Sequence, residues 1–500
     1  GIRDHCVTGV QTCALPISAS YFERDDRFSM ESRTGEVMST LSNRYASPEM
    51  KEIWSTESRY RAERQLWLTI LRFQSKNGVT IPASAIADYE RVIDSIDLAS
   101  IDKRERALRH DVKARIDEFN SLAGHELIHL GMTSRDLTET IEAHQILSAL
   151  VLIRDRAVAL LAALASKANN AKELAMVART HNVPAQVTTL GKRFASIAEE
   201  LLFAVERIEG LIARYPMRGI RGPVGTGQDM RDLIGDAATE LEAVIAQQFG
   251  FKNVLGSTGQ IYPRSIDFDV VTSLSQLAAA PSNFATLIRL MSGLGLVSEG
   301  FVSGQVGSSA MPHKMNARSC ERINGLNVVL RGFVSMIGEI SGEQWNEGDV
   351  SDSVVRRVAI SDAFFAIDGI IETTLTVLNE MVIFPAMIEK ELRDELPYLS
   401  TTRILMAAVK AGAGRESAHN AIKECATKSL IERREGKETS LLELLANDQR
   451  IPLSHAELTT LLSTPEIGDA ASHVERVVMK ISEISKRYPQ AAGYRPGQIR

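Results

Sequence analysis

Cysteine is scarce, with four residues in 500 and none in a C-x-x-C pair. That excludes a disulfide framework and a cysteine-based zinc knuckle, and it leaves a reducing, cytoplasmic setting as the expectation. Long apolar runs are also missing. Charges interrupt each apolar stretch well short of the roughly 20 residues a membrane-spanning helix needs, so no membrane partner is expected. No long basic run occurs, and 57 Lys plus Arg face 63 Asp plus Glu for a net charge of −6. Nucleic acid and anionic lipid are therefore poor partners. Clean period-two strand patterns are rare as well. What the chain does have is 44% apolar and 24% charged residues, the balance of a globular protein rather than a disordered one. Its length suits about three domains.

Residues 1–37 lack any period and hold Cys6 and Cys13, half of the cysteines. They read as a disordered or non-native leader. From about residue 48 the chain reads as helix after helix. Leu190, Phe194, Ile197, Leu201, Val205, Ile208 and Ile212 recur every three or four residues, one apolar stripe on a helix. Thr188 or Thr189 suits its N-cap. Further long helices are expected over about 136–168, 229–249, 266–297 with a kink at Pro281, 316–341 and 350–380. The expected fold is all-α in three helical domains: 38–133, a long-helix bundle over 134–384, and 385–500.

Polar clusters lie between these helices, where function concentrates. They are Arg44-Tyr45, Arg109-His110-Asp111, Met132 to Asp136, Arg179 to Gln186, and Ser303 to Asn316. The last combines glycines that allow close backbone approach, the hydroxyls of Ser308 and Ser309, the charge of Lys314 and the amide of Asn316. By bare chemistry it is either a mobile polar connection or an anion-binding loop. His125-Glu126-Leu127-Ile128-His129 matches H-E-x-x-H, a zinc protease pattern. Gly131 and Thr133 suggest that the helix ends there, and the extended metzincin spacing is absent. No metal is expected. Cys320 and Trp345 read as packing residues.

Gly307-Ser308-Ser309-Ala310-Met311-Pro312-His313-Lys314-Met315-Asn316 resembles the signature loop of the fumarase/aspartase superfamily. Within that superfamily the set is most similar to the adenylosuccinate lyases. Arg44-Tyr45, Arg109-His110-Asp111, Gly131 to Ser134, Arg179-Thr180-His181, Thr258-Gly259-Gln260 and Ser353 to Arg357 follow in the same order. Two positions depart from the pattern. Ala317 replaces a usual proline, and Gly348 stands where some members carry a substrate-binding arginine.

The resemblance implies elimination of fumarate from adenylosuccinate, giving AMP, and from succinylaminoimidazole carboxamide ribotide, giving AICAR, without a cofactor. It implies Ser308 as base, with Ser309 the lesser candidate, and His181 as general acid. Lys314, Asn316, Thr133 and Ser134 would hold the succinyl carboxylates. Arg44, Tyr45 and Arg357 would hold the 5′-phosphate. His110 and Asp111 would orient the acid or the substrate, and Gln260 would read a carboxylate or the purine. Arg109, Thr180, Arg322 and Ser353 complete the expected ring. It also implies a homotetramer with each site shared between subunits. A 3-carboxy-cis,cis-muconate cycloisomerase or an argininosuccinate lyase is the neighbouring alternative. A non-catalytic helical scaffold is the alternative from another class.

Overall fold

The structure, a computed structural model, describes residues 39–300, 311, 314–437 and 439–497. Ser308, Ser309 and the leader 1–37 lie outside the described residues. Helices dominate, as the sequence periodicity requires, and no helix among the described residues is long and apolar enough to cross a membrane.

The first region is built from Thr56–Lys76, Ala83–Arg91, Leu98–Leu108 and Asp111–Ala123, after two short helices, Thr40–Tyr45 and Pro48–Ile53. Trp67, Tyr89 and Phe119 are fully buried at its centre. Arg64 reaches the same core through a 2.6 Å ion pair with Glu118.

The bundle follows. The helix Ser134–Asn170 has 37 residues, about 55 Å at 1.5 Å per residue. It packs against Leu190–Arg214 and Ser353–Glu380, and the latter packs along Arg318–Ile340. The stripe is buried from Leu190 to Ile208 and half-buried at Ile212, and the Thr189 hydroxyl caps that helix by accepting from Lys192 N at 3.1 Å.

Two expected helices are each divided. The 229–249 segment forms Gln228–Ile234 and Ala238–Phe249, separated by a short 3-10 turn. Gly235, at φ 60°, ends the first. The 266–297 segment forms Ser265–Leu277 and Ala279–Gly293. Pro281 therefore sits in the first turn of a new helix, where its missing N–H costs no hydrogen bond.

The connection Arg179 to Gln186 is an antiparallel hairpin. Ala175–Thr180 pairs with Val183–Thr189, and His181 and Asn182 form the tip with φ values of 52° and 63°. Two further two-stranded pairings tie loops together: Pro216–Met217 with Asn253–Val254, and Val297–Ser298 with Val382–Ile383.

Beyond Pro385, residues 404–462 enclose a small separate core of Ile404, Ala418, Leu445, Leu458 and their neighbours. The helix Ala470–Arg487 returns to the bundle, burying Val474, Val477, Ile481 and Ile484 in the main core.

Candidate active site

One cavity of about 600 Å³ opens where the first region meets the bundle. His110, Asp111, Thr133, Ser134, Gln260, Ser353 and Arg357 all line it. These positions are scattered over nearly 250 residues of chain, and helix termini deliver most of them. His110 is the N-cap of Asp111–Ala123, its ring accepting from Lys113 N at 3.3 Å. Thr133 caps Ser134–Asn170 in a reciprocal box with Asp136. Ser353 and Arg357 occupy the first turns of Ser353–Glu380. Helix N-termini present unpaired N–H groups, a setting suited to anions.

Four arginines and two carboxylates line the cavity. Most of the guanidiniums are already engaged. Arg356 bonds Glu142 at 2.6 Å and Asp267 at 2.8 Å. Arg59 bonds Glu142 and Glu63, each at 3.3 Å. Arg135 bonds Glu139 at 3.2 Å. Arg357 is different: its side chain is 64% exposed and lies 3.7 Å from Asp111, so it is the guanidinium best free to meet a ligand. Burial would raise the Glu142 carboxyl, but Arg356 and Arg59 outweigh that and hold it at about 2. Burial likewise opposes ionisation of Asp111, yet Arg115 and Arg357 lower it overall. Both carboxylates are therefore charged, and they anchor the arginines.

Beside the cavity lies a buried ionic layer. Arg264 grips Glu139 through bonds of 2.8 and 2.9 Å and also pairs with Asp352. Arg356 donates to the Tyr262 hydroxyl at 2.5 Å. Sequence reasoning did not assign Arg59, Arg135, Glu142 or Arg356 to the site. Arg135 lies inside the Met132–Asp136 cluster and Arg356 beside Arg357, so adjacency was the available signal.

Other expected site residues lie elsewhere. Arg44, Tyr45 and Arg322 form their own group, with the two guanidiniums 6.0 and 5.6 Å from the tyrosine ring. Gly369 packs directly under Tyr45. It lies 12 residues along the same helix from Arg357, about 18 Å at 1.5 Å per residue. One chain thus separates Arg44 and Tyr45 from Arg357. Thr180 and His181 are exposed at the hairpin, away from the cavity lining. That hairpin is fixed by Val177 against Leu392 and Leu396 and by an ion pair of Arg179 with Glu391. Arg109 is an exposed left-handed C-cap of Leu98–Leu108, bonded through its N–H to Glu105. Lys314 is exposed and Asn316 half-buried, just ahead of Arg318–Ile340.

Three smaller expectations resolve. His125 and His129 are not on a helix. His125 pairs with Asp88 at 2.8 Å, while His129 accepts from Trp67 Nε1 at 3.0 Å with burial pushing it down to about 4. The two imidazoles thus turn to different partners, Asp88 and Trp67. Cys320 is buried, and that burial with the nearby Glu299 raises its thiol, as suits packing. Trp345 is the correction. It is 68% exposed, because it belongs to the surface connection between Ile340 and Ser353 rather than to either helix.

Gly348, where an arginine was in question, has φ 135°, and a Cβ there would come within 2.9 Å of Ile261. The connection is drawn in by Gln260 N, which donates to Glu347 O at 2.6 Å. A side chain at 348 would thus be strained by the backbone conformation.

The chain was compared with known proteins. The Lyase family profile matches residues 43–332, and the family described as adenylosuccinate lyase C-terminus matches 397–477. Adenylosuccinate lyase of Saccharomyces cerevisiae is 33% identical over 450 residues, covering 88% of this chain and 93% of that protein. Adenylosuccinate lyase of Archaeoglobus fulgidus is 29% identical, covering 90% and 100%. Among solved structures, 3-carboxy-cis,cis-muconate lactonizing enzyme from Pseudomonas putida superposes with a TM-score of 0.78 at 20% identity, covering 89% of this chain and 99% of that one. This last likeness concerns the fold. With the long-helix bundle, the ordered motifs and full-length relatives at this identity, the chain belongs to the adenylosuccinate lyase family.

Proposed function

We infer that this chain cleaves adenylosuccinate to AMP and fumarate, and the succinylated imidazole ribotide to AICAR and fumarate. The observation that carries this reading is the match of 88% of the chain to curated adenylosuccinate lyases. It favours adenylosuccinate over the muconate alternative, which rests on a fold likeness at 20% identity. Breaking a C–N bond β to a carboxylate needs a base for a weakly acidic Cβ proton, a clamp that stabilises the resulting carbanion, and an acid for the leaving nitrogen. Ser308 takes the first role, with Ser309 beside it. Lys314, Asn316, Thr133 and Ser134 clamp the carboxylates. His181 protonates the nitrogen, a task suited to a side chain that titrates near neutrality. Arg44, Tyr45 and Arg357 take the phosphate, with Arg322 supporting Tyr45. His110 and Asp111 orient the reacting groups, Gln260 reads the substrate, and Arg109, Thr180 and Ser353 border them.

These groups cannot act together from one chain, since His181 and Arg44 lie away from the cavity that holds Thr133 and Arg357. A homotetramer with shared sites resolves that separation. Exposed Val328 and Val329 on one bundle helix and Val354 and Val358 on its neighbour fit burial against other subunits. A reducing cytoplasmic setting accords with the unpaired, buried Cys320 and Cys425. The test is a product assay on both substrates with wild type and Ser308→Ala. Wild type is expected to release fumarate from each, and the variant to lose at least a hundredfold in kcat while staying folded. No product from wild type would refute the reading.

A further inference from the structure

Two walls of the cavity meet on one buried ion pair that the reaction chemistry does not use. Asp136 and Arg218 both have fully buried side chains, and they bond at 2.6 Å. Asp136 is the third residue of Ser134–Asn170. One of its oxygens accepts from Thr133 N at 2.8 Å. The other accepts from Arg221 N at 2.9 Å and Gly222 N at 3.1 Å. Arg218 uses each of its five N–H groups. Besides Asp136 it donates to the carbonyls of Gly219 at 3.2 Å, Gly222 at 3.0 Å and, by two bonds of 2.8 and 3.3 Å, Gly259. Gly259 immediately precedes Gln260, and Thr133 immediately precedes Ser134.

We propose that Arg218 and Asp136 are positioning residues that brace Thr133-Ser134 and Gln260 at a set spacing, tuning the grip on the succinyl half of the substrate. This rests on the functional reading above, in which Thr133 and Ser134 hold a carboxylate. The physical case is the saturation of the pair. A desolvated ion pair is tolerated only when its remaining donors and acceptors are met, and here two of the groups that meet them, Gly259 O and Thr133 N, belong to the two cavity walls. Both contacts are to backbone, so they set loop position whatever the loop side chains do. A planar five-donor fork can span an acid and an opposing carbonyl at once. A lysine ammonium keeps the charge but lacks that reach. The brace bonds none of the phosphate residues Arg44, Tyr45 and Arg357, the last held by Asp111 instead, so it should weaken the succinyl grip more than nucleotide binding.

The test compares product inhibition of wild type with that of Arg218→Lys and Asp136→Asn, using fumarate and AMP as separate inhibitors. The proposal expects the fumarate inhibition constant to rise at least tenfold in a variant whose AMP constant stays within about threefold, with kcat/KM for adenylosuccinate falling in step with the fumarate constant. Asp136→Asn, nearly the same shape and retaining one acceptor oxygen, serves if Arg218→Lys does not fold. Equal changes in both constants, unchanged kinetics, or loss of fold in both variants would overturn the proposal and leave the pair a structural one. If wild type itself releases no fumarate, the functional reading has failed. The brace fails with it as an aid to this reaction, but the wild-type control records that failure separately.

Discussion

Replacing Glu372 with glutamine should stabilise the protein at alkaline pH and leave it nearly unchanged at acid pH. Glu372 lies mid-helix in Ser353–Glu380 with no side-chain exposure. Asp368 sits one turn earlier and is also fully buried. Around them are Arg156, whose Nε is 3.3 Å from Glu372, then Glu49, itself paired with Arg156, and the Tyr494 hydroxyl at 3.0 Å. Ser47 N and Gly497 N also donate to the two carboxyls. One oxygen of each carboxyl still lacks a hydrogen bond. Burial, with the like charge of Asp368, pushes Glu372 up to about 7, and burial pushes Asp368 up to about 6. Unfolded, both ionise near pH 4, so between about pH 4 and 7 the folded chain holds the extra protons. Stability contributed by the pair is therefore full below about pH 4 and is lost as pH rises toward 7. At about 1.4 kcal/mol per unit, the Glu372 shift is on the order of 3 kcal/mol. Glutamine keeps an acceptor for Tyr494 and Gly497 and removes the charge. At pH 8 the variant should be more stable by about 1–3 kcal/mol, or a few degrees in unfolding midpoint. Thermal unfolding of both proteins from pH 5 to 8 measures this. A difference between them that does not change with pH would refute the reasoning.

Two glycines offer further tests. Gly369→Ala places a methyl 2.9 Å from both the Tyr45 side chain and its carbonyl oxygen. The overpacking cost of about 1–3 kcal/mol should exceed the helix-propensity gain of about 1 kcal/mol. A lower unfolding midpoint is therefore expected, with KM for adenylosuccinate raised more than kcat is lowered as Arg44 and Tyr45 shift. Gly348→Arg should not improve binding. The left-handed φ and the approach to Ile261 should instead displace the Gln260 loop and lower kcat/KM, as steady-state kinetics would show.

Much of the helical framework was legible because its signal is local. The Leu190 stripe emerges as Leu190–Arg214, and the 136–168 periodicity as Ser134–Asn170. The hairpin at 175–189 was not legible. Its tip is His181-Asn182 rather than a glycine-bearing turn, and Pro184 sits within a strand, both atypical of strand signals. The divided helices depended on Gly235 and on Pro281 opening a helix rather than kinking one. In the site, the motifs include His110, Asp111, Thr133, Ser134, Gln260, Ser353 and Arg357, which line the cavity, because resemblance carries order along the chain. The deeper supporting charges could not be read, since their pairings are remote: Arg218 reaches Asp136 across 82 residues and Arg356 reaches Asp267 across 89. Nor could the sequence show that Arg44-Tyr45 and Arg357 stand a dozen helical residues apart in one chain.

That separation defines the most direct test. His181→Ala and Ser308→Ala subunits, each inactive alone, are mixed, dissociated, reassembled and assayed with adenylosuccinate. If His181 and Ser308 of one site come from different subunits, roughly a quarter of the sites in a random equal mixture regain both wild-type groups. Fumarate release should return to about that fraction of wild type. A mixture as inactive as its parents, in variants that remain folded and reassemble, would contradict the account.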